Sequence, residues 1–401
     1  MLSFCLAPYI LISQVVWTNY NTQNSDLTYN VVFTINESIY DEIIVGTQFG
    51  LNKLINNNWS NYDWVINGID VRSITTFKDT LLLGSFNSGV TLINDFLSNP
   101  VQNFNSSNSG IIANQVNDIE VMNNSTFAFA TTEGLTIGDD FVDPSSWITY
   151  NLQNQLSSNN ISCLDFNPQT NTLAIGTING GLVYMIADTF QIYDYQNSNL
   201  PDNSISDLKF DANNNLWITT PSGGLLKHTS SGVFILYNTT TGLMPSNSLN
   251  CLDIDSLENI WIGTQNAGLI KFNGFTYTSY TAQNSPIPNN DINSIFVDKQ
   301  QVIWIGTNDG LTKFNANAIN ICEQNIYKHI SFINNSTIKI TSNQVNDISI
   351  FDLFGRLILK KNVRKNDVIP LQKIKDGLCF ISLNNYVLGV DKVLLLSDIQ
   401  F

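Results

Sequence analysis

An all-β fold is predicted by three observations. Only 13% of the 401 residues are charged while 43% are hydrophobic, and roughly one residue in seven is Asn, well outside ordinary usage. Asn is poor in helix interiors and good in turns, because its side chain bonds the nearby backbone. A short apolar segment ending in Gly-Thr, or a close variant, recurs seven times. Finally, the helical 3.6-residue periodicity is absent, whereas short apolar runs bounded by Asn, Gly and Ser abound.

The repeat sets the architecture. Leu216-Trp217-Ile218-Thr219-Thr220 recurs as Ile260-Trp261-Ile262-Gly263-Thr264 and Ile303-Trp304-Ile305-Gly306-Thr307, with weaker copies ending at Thr47, Ser85, Thr132 and Thr177. Each is followed by Gly and an aliphatic residue, at Gly50, Gly89, Gly134, Gly181, Gly224, Gly268 and Gly310, so the spacings are 39, 45, 47, 43, 44 and 42 residues. Each copy holds four strand-like pieces. A nearly continuous apolar run such as Ile292 to Asp298 reads as the inner strand. The Trp-Ile-Gly-Thr strand follows, then a Gly-bearing hairpin, then a Leu-x-Lys-Phe strand such as Leu311 to Phe314, then a Trp/Phe-x-x-Tyr strand such as Phe234 to Tyr237. Four antiparallel strands in about 42 residues make a propeller blade. The predicted fold is a seven-bladed β-propeller over residues 14–315, followed by a small Ig-like β-sandwich. The seventh copy lacks a fourth strand, so the N-terminal segment at residues 17–20 is expected to supply it and close the ring.

The ends read differently. Leu2 to Ser13 is an apolar run of export-signal length, and residues 1–13 are expected to be a signal peptide with a truncated basic start. The run is too short to span a bilayer. Residues 316–325 read as a linker to a C-terminal domain at 326–401. Charge changes at the same place: residues 1–321 carry 8 Lys+Arg against 26 Asp+Glu, a net of −18, whereas residues 322–401 carry 10 against 7. The long acidic part, whose only arginine is Arg72, lacks the clustered cations that nucleic-acid binding requires. Anionic membrane surfaces are disfavoured on the same ground. Five cysteines without paired spacing and two histidines signal neither a disulfide framework nor a transition-metal site, and no cofactor is expected.

Two resemblances rest on particular residues. Asn203 to Asp211, then Asn215-Leu216-Trp217-Ile218, then Gly223-Gly224-Leu225 resembles the two-component regulator propeller repeat, as do the copies at 247–272 and 290–314. In that family such repeats form periplasmic sensors of hybrid kinases and parts of secreted or surface proteins; no kinase motif or transmembrane helix is present here. The stretch Ile350 to Ile358, with Asp352, Gly355 and Arg356, resembles the sorting domain of type IX secretion substrates, as do Gly377 before a strand and Lys392 in the last one. That resemblance implies a protein secreted or held on the outer cell surface, with the type IX machinery as a partner.

Candidate chemistry is sparse. Aligned copies place Arg72, Asn117, Ser162, Ser206, Asn250 and Asn293 at one position at the start of the inner strands. They are the candidate ligand-binding collar around the channel mouth, suited to a neutral polar ligand such as a sugar; the plainer role for Asn and Ser there is to satisfy turn backbone. Asp165, Asp211, Asp255 and Asp298 read as one repeated residue in the turn after the inner strand. Trp217, Trp261 and Trp304 read as core, Cys163 and Cys251 as small core residues, and His228 as surface. No GxSxG, Walker, HExxH or EF-hand signature occurs. The expected function is non-catalytic binding of a polysaccharide or surface protein, with a polysaccharide lyase or hydrolase, or a structural adhesin, as alternatives.

Overall fold

Short apolar runs, interrupted by Asn- and Gly-rich turns, fold into four-stranded antiparallel sheets, one per blade. The computed structural model describes residues 16–315 apart from 56–57, 63–68, 95–100, 123–125 and 140, together with 330–334, 337–340, 347–351, 357–370 and 380–383. The inner strands of blades 1 to 7 are Val32–Glu37, Val71–Phe77, Val116–Val121, Ile161–Asn167, Asp207–Phe210, Leu249–Ile254 and Ile292–Val297. They lie against one another in cyclic order, and that of blade 7 lies against that of blade 1. The ring is therefore closed. Its last sheet takes Val16–Tyr20, beside Gly310–Asn315, as the fourth strand. Trp17 stacks on Phe314 with ring centres 3.9 Å apart, and Thr312 bonds Asn19 at 2.9 Å.

The core is a ring of clusters, each shared by two neighbouring blades. Ala128 and Ala130 of blade 3 meet Ile161 and Leu164 of blade 4, and Trp304 and Leu311 of blade 7 meet Val32 and Val45 of blade 1. The glycine before Thr in the second strand sets how closely blades approach. A Cβ on Gly306 would sit 2.7 Å from Val32 Cγ1 of the next blade, and one on Gly263 would sit 2.7 Å from Ile292 Cγ2. The hairpin glycines have a different cause: Gly268 takes φ +78°, and a Cβ there would fall 2.2 Å from the Tyr280 carbonyl oxygen.

In six blades the inner strand begins with a β-bulge, skipping Phe33, Arg72, Asn117, Ser162, Asn250 and Asn293. The bulge sits at the mouth end, because each second-to-third-strand turn bonds back to the segment before the inner strand, as Phe86 N to Asp70 O and Gln265 N to Ser248 O do.

Trp17–Phe314 form one compact unit, and the strands after Asn315 belong to a second. In the latter, Ile330–Asn334, Thr337–Ile340 and Val368–Pro370 make one three-stranded antiparallel sheet. Leu357–Asn362, Asp347–Phe351 and Phe380–Leu383 make another. Ile340, Ile348, Val363 and Ile369 are buried there. Among the described residues no helix is long and apolar enough to cross a membrane.

Candidate functional site

The collar residues are brought to one level of the ring, and five of the six reach across to the next blade. Asn117 Nδ2 donates to Ile161 O at 2.7 Å, and Ser162 Oγ to Ile205 O at 2.6 Å. Ser206 Oγ donates to Leu249 O at 2.6 Å, Asn250 Nδ2 to Ile292 O at 3.0 Å and Asn293 Nδ2 to Val32 O at 3.1 Å. Four of these side chains thus latch the first carbonyl of the neighbour's inner strand, and Ser162 latches a carbonyl two residues before it. Arg72 does not. Its Nη2 donates to Asp70 Oδ2 at 2.9 Å and its Nε lies 2.7 Å from Asp70 Oδ1. The guanidinium carbon sits 3.9 Å from the Phe33 ring centre and 5.2 Å from that of Phe86.

Blades 1 and 2 break the repeat together. Phe33 stands at the latch position of blade 1 and has no group that can make the latch. Tyr29 precedes the inner strand of blade 1, and Phe49 occupies its second-to-third-strand turn; their rings meet edge-to-face at 5.0 Å. Phe86 is in the corresponding turn of blade 2. Tyr29, Phe49 and Phe86 are 39%, 51% and 45% exposed. The counterparts of Phe49 in the two other turns of its length are Glu133 and Asp309.

Below the mouth the inner strands hold charges that sequence reasoning missed. Each carboxylate accepts an N–H from the following blade: Asp118 from Leu164 at 2.8 Å, Asp165 from Phe210 at 2.7 Å, Asp207 from Leu252 at 2.8 Å and Asp253 from Val297 at 2.7 Å. Asp118, Asp207 and Asp253 also accept the N–H of the residue that follows them. These bonds satisfy backbone donors that an inner strand turns away from its own sheet. Burial nevertheless raises the pKa of Asp118, Glu120, Asp165 and Asp253, and carries that of Asp207 to about 7. Lys209, with Nζ 3.5 Å from Asp165, is the cation among them, and its pKa is raised first by Asp165 against the cost of burial. The signal was there in an apolar run punctuated by Asp or Lys at alternate positions, but it reads equally as solvent-facing alternation.

The repeated Asp needs one correction. Asp211, Asp255 and Asp298 do sit in the turn after the inner strand, where each accepts the indole N–H of Trp217, Trp261 or Trp304 at 3.1, 3.0 and 2.8 Å. Burial raises the pKa of Asp211, but the hydrogen bonds from Asn215 and Trp217 and the nearby Lys227 outweigh it, leaving the carboxyl below its usual range. Lys227, Lys271 and Lys313 cover the outer faces of the three indoles. Asp165 is not their counterpart. It pairs with Ala174 as Lys209 pairs with Trp217, so it lines the channel, and Asn167 takes the turn position, accepting from Gln169 N at 2.9 Å.

His228 also departs from expectation. It is 8% exposed, stacks on Phe234 at 4.1 Å and places Nδ1 2.7 Å from the Tyr184 hydroxyl of the neighbouring blade. Burial lowers its pKa. The three tryptophans and both cysteines are core residues, and burial raises both thiols well above their usual range. Asp352, Gly355, Arg356, Gly377 and Lys392 lie outside the described residues. Among the described residues no group of His, Cys, Asp and Glu is arranged to hold a metal ion.

Fold and site together define a seven-bladed β-propeller with a structural, internally bonded channel and an irregular mouth. A family model described as the two-component regulator propeller matches residues 199–222 and 286–309. No curated protein matches the chain by sequence. Among solved structures, the chain is similar to the extracellular domain of the putative hybrid two-component system BT3049 from B. thetaiotaomicron, with 18% identity and a TM-score of 0.63, over 95% of this chain and 55% of that one. It is similar to PorZ, a bacterial surface component of the type-IX secretion system of Porphyromonas gingivalis, with 13% identity and a TM-score of 0.60, over 91% of this chain and 59% of that one. It is also similar to virginiamycin B lyase from Staphylococcus aureus, with 13% identity and a TM-score of 0.57, over 74% and 98%. At these identities the shared property is the fold. The chain spans little more than half the length of the first two.

Proposed function

We propose that the protein is a non-catalytic binding module of the cell exterior, with its ligand, a glycan or a surface protein, held at the mouth of the propeller. The observation that carries this reading is how the channel carboxylates are employed. Asp118, Asp165, Asp207 and Asp253 each accept a backbone N–H of the next blade, which makes them part of the ring's cohesion. A glycosidase needs two carboxyl groups flanking one scissile bond. The exposed side chains at the mouth include the aromatic rings of Tyr29, Phe49 and Phe86, which suit recognition.

The exterior location draws on the likeness to an extracellular domain and to a surface component, and on the resemblance of residues 350–358 to a type IX sorting domain. The polysaccharide-lyase alternative is kept by the lyase among the structural neighbours. A thermal-shift screen of the full chain against polysaccharides and divalent cations, with product analysis of every hit, separates the two. A saturable rise in Tm without new products is the expected result. Unsaturated or newly reducing ends would overturn the non-catalytic reading, and a screen without any shift would move the adhesin role ahead.

A further inference from the structure

The mouth is a nearly regular ring except over blades 1 and 2, and the break has a chemical direction. Five blades give the residue at this aligned position to a hydrogen bond with the next blade. Blades 1 and 2 carry Phe33 and Arg72 there, forgoing two such bonds. A hydrogen bond of this kind is worth about 1 kcal/mol, so the departure costs stability unless it serves something else. Breaches of a local rule in an otherwise consistent chain tend to mark functional positions.

What replaces the bonds is a surface of open rings beside a neutral ion pair. Tyr29 and Phe49 pack edge-to-face and both remain exposed to solvent. Phe86 is also half exposed. Two further features fix what such a surface would hold. Asp70 neutralises Arg72, so the patch attracts neither an anion nor a cation strongly, and the net charge of −18 over residues 1–321 repels polyanions. The pair still offers both signs of hydrogen bond. Among the described residues the Nη1 of Arg72 carries no hydrogen bond, and the carboxylate of Asp70 has acceptor capacity beyond the guanidinium. A flat ligand with an apolar C–H face and neutral hydroxyls at its rim meets all of these: the face lies on a ring, and vicinal hydroxyls reach the donor and the acceptor.

We infer that Tyr29, Phe49 and Phe86, with the Arg72–Asp70 pair, form an off-axis site on blades 1 and 2 for the pyranose rings of a neutral glycan. This rests on the reading of the protein as a binding module and names the ligand class and the place. The off-axis position follows from the sequence departure: the remaining collar residues are held by their latches, whereas Phe49 and Phe86 project from turns.

The test uses the full chain and isothermal titration with cellohexaose, maltohexaose, mannohexaose and chitohexaose, and with oligogalacturonate as the charged comparison. The variants are Phe49→Ala with Phe86→Ala, Arg72→Gln, and the control Phe275→Ala, which removes an aromatic ring 82% exposed in the third-to-fourth-strand turn of blade 6. Wild type and control should bind at least one neutral hexamer. The double variant should lose at least tenfold in affinity with Tm unchanged, and Arg72→Gln should weaken binding less. If the double variant binds like wild type, the site is overturned while the binding-module reading stands. Preference for oligogalacturonate overturns the neutral-glycan assignment. If no hexamer binds but another class raises Tm in the screen above, this site's ligand is overturned and the wider reading survives; if nothing binds in either experiment, both fall.

Discussion

Asn30 shows on the scale of one side chain why so many asparagines suit this fold. Its Oδ1 accepts the N–H of Thr22, eight residues earlier, at 2.9 Å. Asn114, Asn203, Asn247 and Asn290 do the same for Ser106, Tyr195, Thr239 and Ala282 at the same interval. A second amide, Asn24, Asn108, Asn197 or Asn284, caps four of these loops by accepting from the residue three positions before, and the Thr241 hydroxyl does so in the fifth. Long polar loops therefore keep one shape without burying apolar surface. The turn aspartates work in the same way with a charge. Asp298, 3% exposed, accepts from Val302 N and from Trp304 Nε1, both at 2.8 Å. Asp298→Ala leaves the indole N–H of a tryptophan 2% exposed without its acceptor, which should cost about 1–3 kcal/mol. Urea unfolding followed by tryptophan fluorescence measures it. A midpoint equal to that of wild type would mean that the indole finds water instead.

Between blades, the controlling element is the second strand, where a missing side chain lets the next blade in. A Cβ on Gly306 would fall 2.3 Å from Ser294 Oγ and 2.7 Å from Val32 Cγ1. Gly306→Val should overpack the contact between blades 7 and 1 and destabilise by about 1–3 kcal/mol. The same exchange at Gly274, where nothing lies within 4 Å of the position, meets only backbone strain at φ +92°. Chemical denaturation of both variants tests this: the expected order is Gly306→Val less stable than Gly274→Val, and the reverse order would remove close blade approach as the reason for the glycine. Elements of this kind were legible in the sequence because blade geometry repeats, so seven imperfect copies of one pattern averaged out local noise. The candidate site was less legible for the same reason. Alignment put Arg72 level with Asn117 and Ser162, and position alone could not reveal that Arg72 turns to Asp70 while the others bond the next blade. Asp165 was misplaced because one Asp in an apolar run resembles another; two residues of register separate a channel carboxylate from a turn carboxylate. His228 looked like surface because its partner, Tyr184, is 44 residues away in sequence.

At the scale of the whole ring, the channel ties stability to pH. Burial raises the pKa of Asp207 first and most plainly, to about 7, with nearby Asp118 adding to it and the N–H groups of Leu252 and Leu208 opposing it. A carboxyl whose folded pKa lies above its unfolded value of about 3.9 binds more protons when folded. Its contribution to stability is present in full below the unfolded pKa and is lost as pH rises through about 7. Asp118, Glu120, Asp165 and Asp253 are shifted in the same direction by burial, so they add to the loss on the alkaline side. His228 acts oppositely: with its pKa lowered by burial, it costs stability as pH falls below about 6.5, where the unfolded histidine takes its proton first. The two effects oppose each other on the acid side of neutrality. Asp207→Asn isolates the first. The variant cannot ionise, so the stability difference between wild type and variant should move in the variant's favour between pH 5 and pH 8. Urea midpoints for both proteins at half-unit intervals of pH measure this difference directly, and any fixed cost of the amide cancels in its slope. A difference that stays flat across the range would show that Asp207 keeps its charge in the folded ring without cost, and that water in the channel solvates it as well as bulk solvent does.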